Sequence, residues 1–162
     1  MSKIQPGQSL EPLRAVVQRF GALAGMPFLQ LDENGAAAVQ LESGQRLELE
    51  YVATADRLLI HVEVPGPVPE DPRLWSAVAK KILPLMAGNG FSLGLGQVEG
   101  RDRLLALASL PAALLDAEDL GETALQLVDT ARAVGDRLAA LAAQRDASPD
   151  LNPMGEAGFF RV

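Results

Sequence analysis

The sequence has no cysteine, so disulfides, zinc–thiolate sites and thiol nucleophiles are excluded. It has one histidine, His61, which excludes a metal site built from several histidines. That leaves a single imidazole for acid–base chemistry. Basic residues are outnumbered, 14 Lys and Arg against 21 Asp and Glu, giving a formal charge of −7. Such a surface repels phosphate and argues against nucleic acid or anionic membrane as a partner. No run approaches the roughly 18 consecutive apolar residues of a membrane span. Met1 to Gln8 is polar and Arg14 and Arg19 interrupt the first apolar stretch, which is not the layout of a signal peptide. A cytoplasmic protein with no membrane insertion is expected.

What is present is apolar material in regular order. At 162 residues the length suits one domain, and 48% apolar content rules out wholesale disorder. Residues 1–8 read as a loose start and 146–162, rich in Asp, Ser, Pro, Asn and Gly, as a mobile tail. Between them, 9–145 forms the expected domain. Ser9 is placed to cap a first helix whose face carries Leu10, Leu13, Val17, Phe20 and Ala24, widened by Val16 and Leu23. Gly25 and Pro27 end it.

Four strands are then expected. Phe28–Leu31 is joined through Asp32-Glu33-Asn34-Gly35, an Asn-Gly turn, to Ala36–Leu41. Arg46–Val52 alternates Leu47, Leu49 and Tyr51 with Arg46, Glu48 and Glu50, and Arg57–Val64 alternates likewise. A stiff connector, Pro65-Gly66-Pro67-Val68-Pro69, precedes a second helix capped by Asp71 with Pro72 at its first position. Its stripe is Leu74, Trp75, Val78, Ile82 and Leu85, with Pro84 expected to kink or tighten the last turn. Gly88-Asn89-Gly90 ends it. Phe91–Val98 and Arg103–Leu110 are two further strands. Asp116 caps a long helix carrying Leu120, Ala124, Leu127, Ala131, Val134, Leu138 and Leu141 at alternating steps of four and three. The order α-β-β-β-β-α-β-β-α predicts an α+β fold, an antiparallel sheet packed with three helices in a single domain.

Chemistry is scarce. His61 and Glu63 share a strand face, but no motif places a nucleophile with them, so His61 reads as a solvated strand histidine. Gly94 and Gly96, with Ser92, strip one strand face and invite close approach of another backbone or a helix. The glycines match neither G-x-G-x-x-G nor a P-loop. The acidic groups Glu70/Asp71 and Asp116/Glu118/Asp119 fall at helix starts, where carboxylates complement the dipole. No calcium-loop pattern is present, and no metal or cofactor is expected. Surplus apolar residues on short elements point instead to an interface.

Three stretches carry a family resemblance. One is Phe20-Gly21-Ala22-Leu23-Ala24-Gly25-Met26-Pro27-Phe28 running on through Leu29 to Gly35. Another is Leu74-Trp75-Ser76-Ala77-Val78-Ala79-Lys80-Lys81-Ile82-Leu83 leading to Asn89 and Phe91-Ser92-Leu93-Gly94-Leu95. The last is Leu104–Leu110 with Leu114-Leu115-Asp116-Ala117-Glu118-Asp119-Leu120. Together with acidity and size, they make the chain, from about Leu10 to Leu141, resemble the type III secretion chaperones of the Tir-chaperone class. Pro84, the Gly88-Asn89-Gly90 junction and the Pro-rich connector depart from that pattern.

The resemblance implies a non-catalytic homodimer around which an extended segment of a secreted effector winds, kept soluble and without its own core. On that basis Val16, Phe20, Leu23, Phe28, Leu29, Val39, Leu47 and Leu49 are assigned to effector binding. The second helix and following strand supply the dimer seam, assigned to Leu74, Trp75, Val78, Ile82, Phe91, Leu93 and Leu95. A regulatory or sensory domain of the same fold, binding a folded protein, is the alternative.

Overall fold

The computed structural model describes residues 10–147. The Ser9 cap, the expected loose start 1–8 and the expected tail from residue 148 onward lie outside the described residues.

The first helix, α1 (Leu10–Leu23), buries Leu13, Val17 and Phe20, the stripe its spacing predicts. Gly21 is also buried because the chain doubles back on it. A Cβ there would sit 2.6 Å from the Met26 carbonyl oxygen. Gly25, at φ +76°, makes the reversal.

The expected strand at Phe28–Leu31 is not formed. The Leu29 N–H turns back locally and donates to the Met26 carbonyl at 2.9 Å. The Asp32 carboxylate accepts from the Asn34 and Ala36 amides at 2.9 and 2.8 Å. The Asn34-Gly35 turn exists, with Gly35 at φ +80°, but it leads from an irregular segment rather than from a strand. That segment still anchors the core through Leu29 and Leu31, both buried.

Five strands form one sheet: β1 (Ala36–Gln40), β2 (Arg46–Val52), β3 (Arg57–Glu63), β4 (Ser92–Val98) and β5 (Arg101–Pro111). Their spatial order is β1-β2-β3-β5-β4, with every pairing antiparallel. The β4–β5 hairpin turns through Glu99 at φ +52° and Gly100 at φ +74°, the pair of left-handed residues that a two-residue hairpin requires. Leu47, Leu49 and Tyr51 of β2, Leu58, Ile60 and Val62 of β3, and Leu104, Ala106 and Ala108 of β5 form one buried face. The opposite face carries Glu48, Glu50, His61, Glu63 and Arg103.

Gly94 and Gly96 do make room, though not for a backbone or a helix. A Cβ at Gly94 would lie 2.7 Å from Leu107 Cδ1, and one at Gly96 would lie 2.6 Å from Leu105 Cδ1. The two leucines of β5 fold over the stripped strand beside them.

The connecting helical segment is α2 (Pro72–Ala77), a π-helical turn (Val78–Ile82) and α3 (Leu83–Gly88). The Asp71 carboxylate caps it, accepting from the Arg73 N–H at 2.7 Å. Pro84 has no N–H and its ring would clash with the carbonyl four residues earlier. The backbone answers with a π turn in which the Leu83 N–H reaches Val78 O. The extra residue changes the helical phase. Met86, not Leu85, takes the inward position, and the expected stripe is corrected there.

The last helix, α4 (Ala117–Asp146), is capped by Asp116, which accepts from the Glu118 and Asp119 amides at 2.9 and 2.8 Å. Its buried stripe of Leu120, Ala124, Leu127, Ala131, Val134 and Leu138 lies across α1, β3 and β5. Gly135 meets the Pro65 carbonyl so closely that a Cβ would stand 2.7 Å away. All helices therefore pack on one sheet face, and one α+β core results.

Candidate functional site

Where the end of α1 crosses the start of α4, the two helices and the β1 edge do not close. A Cβ at Gly121 would meet the Phe20 ring at 3.6 Å, ordinary contact, where the two helices cross. Beyond this crossing a groove of about 750 Å³ opens, floored by Phe20, Val39, Leu47 and Ala124. Its walls hold side chains that a sealed core would not leave in water: Leu23 is 65% exposed, Phe28 69% and Leu125 65%. Among the described residues three carboxylates, Glu42, Glu118 and Glu122, are the charged groups lining it. Arg19 approaches Glu118 at 3.8 Å, with both side chains mostly in solvent. Single exposed apolar residues are ordinary; a concave run of them beside an edge strand makes this a candidate binding surface.

A second apolar surface lies on α3 and β4, where Leu85 is 62% exposed and Leu95 64%. Beside it a smaller recess of about 250 Å³ separates α3 from α4, lined by Ile82, Leu85, Met86 and Val134 with Arg137 at its edge.

The structure sorts the residues assigned from sequence. Phe20, Leu23, Phe28, Val39 and Leu47 meet in the large groove. Val16 is half-buried and packs against the core from α1. Leu29 and Leu49 lie inside the core and do not line the groove. Of the seam set, Val78, Ile82 and Phe91 are buried within the protomer, so they are unavailable to a partner as it stands. Leu74 and Leu93 are half-buried. Trp75 is half-buried, and its indole Nε1 donates to Pro69 O at 2.8 Å, tying the helix to the Pro-rich connector. Leu95 is open.

Sequence reasoning missed Leu125 and Val128, although they form a second apolar row beside the heptad stripe of α4. It also missed Leu83, exposed through the π turn, and that signal is not legible from spacing.

His61 stands opposite Glu48 in the sheet register, and the Glu63 carboxylate is held by Arg103 at 3.0 Å. Among the described residues no group of three or more His, Asp or Glu is placed to hold a metal ion. No helix among them is long and apolar enough to cross a membrane.

Residues 15–134 match the profile of the Tir chaperone protein (CesT) family. The chain belongs to that family. Solved structures agree on the fold of this family member. A chain of the ExsC–ExsE complex superposes with a TM-score of 0.67 at 23% identity, covering 80% of this chain and 95% of that one. A chain of the HopA1–SchA chaperone–effector complex gives 0.61 at 21%, covering 79% and 96%. The Yersinia pestis type III secretion chaperone SycH in complex with a stable fragment of YscM2 gives 0.55 at 18%, covering 74% and 96%. No curated protein matches the sequence.

Proposed function

We propose that this protein is a cytoplasmic, non-catalytic chaperone that holds an extended segment of a type III secreted effector in the α1–α4 groove. The observation carrying this is the groove itself, in a chain of the Tir chaperone family: apolar, concave and bordered by the edge strand β1. β1 pairs with β2 on one side. Asp32 already bonds the outer edge at Ala36, so a client strand can pair along the Ala38–Gln40 part of the other side while its alternate side chains enter the groove. Each apolar side chain seated is worth about 1.5–3 kcal/mol, so several together offset the ordering of a coreless segment.

The protein acts as a homodimer in this reading, with the seam on α3 and β4. The exposed Leu85 and Leu95 support it, because an apolar surface on an edge strand is otherwise an aggregation hazard. The solved chaperone–effector complex with the same fold favours the client reading over a folded partner. The test is co-purification with roughly the first 100 residues of a secreted protein encoded alongside, a length suited to wrap-around binding. A stable complex that is lost in Phe28→Asp is expected. A client that binds Phe28→Asp and the unaltered protein equally overturns the assignment.

A further inference from the structure

The groove carries a rule about the sequence it accepts. Its apolar walls are indifferent to charge, but its rim is not. Glu42 stands on the β1–β2 side and Glu118 and Glu122 on the α4 side, so carboxylates flank the groove on two sides, and among the described residues no Lys or Arg lines it. Glu122 is bonded to a neutral partner, the Gln126 amide, at 3.1 Å. Glu118 has Arg19 at 3.8 Å, a loose pair between mostly exposed groups that a competing cation displaces. A segment lying in this groove passes between Glu42 on one side and Glu118 and Glu122 on the other.

We infer that the groove selects an extended polypeptide in which basic residues alternate with or flank the apolar anchors, and rejects an acidic segment of equal hydrophobicity. This rests on the reading of the groove as the client site. The charges supply the discrimination, and the leucine and phenylalanine walls supply the affinity. The same rule disfavours the chain's own residues 148–162 as occupant, since they hold Asp150 and Glu156 against Arg161.

The experiment uses the full-length protein and two fluorescein-labelled synthetic peptides of about 18 residues, a length that spans the groove in extended form. Both alternate Leu and Phe with polar residues. One carries Lys at the polar positions and the other Glu. Anisotropy titration is expected to show the Lys peptide binding about three- to tenfold tighter, the size of two surface ion pairs, with the difference shrinking as salt is raised.

Glu118→Lys/Glu122→Lys is expected to reverse the order. Glu50→Lys/Asp136→Lys, which changes the net charge equally but lies outside the groove, is expected to keep it. Equal binding of the two peptides, or reversal by both double variants alike, overturns the charge rule. Leu125→Asp separates the two claims. If it abolishes binding while the rim variant leaves the order unchanged, the client site stands and the rule falls. If it leaves both peptides bound as before, the groove is not the client site and both fall.

Discussion

At the scale of single residues, the glycines show which contacts are rigid. At Gly21 a methyl group would meet the Met26 carbonyl oxygen at 2.6 Å, and a backbone atom held by its own turn cannot yield. Gly21→Ala is expected to lower the unfolding free energy by about 1–3 kcal/mol, read from the urea midpoint. Gly88 is the control. Nothing lies within 4 Å of its Cβ position and its φ is not left-handed, so Gly88→Ala is expected to be neutral or to stabilise by up to about 1 kcal/mol. Both substitutions add the same methyl group; the difference between them measures the space alone. Phe28 and Leu29 make the parallel point for function. They are adjacent in sequence, yet one stands 69% exposed at the groove and the other is buried in the core.

At the scale of elements, the segment from α2 to α3 is fixed at its start by a charge and altered in its middle by a proline. Asp71 caps α2 and also forms an ion pair with Arg145 near the end of α4. Asp71→Ala therefore removes a cap and a tie between two helices. The expected cost is about 0.5–2 kcal/mol, seen as a lower thermal midpoint. Pro84 acts through the backbone. With alanine there the π turn loses its cause, and the Leu83 N–H is expected to move from Val78 O to the α-helical partner one residue later. Backbone NMR or a structure of Pro84→Ala checks this. The change of phase would turn Leu85 away from solvent, so weaker self-association is expected in the same variant.

At the scale of the molecule, two apolar surfaces on one acidic protomer are assigned two jobs, and each is separable. Leu85→Glu/Leu95→Glu is expected to give a folded monomer by light scattering with unchanged circular dichroism. Phe28→Asp is expected to leave the proposed dimer intact while losing the proposed client. A net charge of −7 keeps such a surface soluble without closing it.

The sequence by itself determined the parts whose causes are local. Asp71 and Asp116 are caps because a carboxylate next to a helix start meets free amides, and the repeat from Leu120 to Leu138 is a buried stripe because 3.6 residues make a turn. Alternation in β2 and β3 showed which face is inward, and the family was legible in the layout. The tertiary structure decided everything that depends on a neighbour distant in sequence. Phe28–Leu31 carries apolar residues and precedes an Asn-Gly turn, yet the reversal at Gly21 and Met26 draws the Leu29 amide to the Met26 carbonyl. Leu85 and Met86 are equivalent in a regular helix pattern and exchange places through the π turn. Leu49 and Leu125 are both leucines on amphipathic elements, and one is core while the other walls a groove. Periodicity records that a side chain leaves water; whether it meets its own core or waits for another chain depends on how far apart two helices cross.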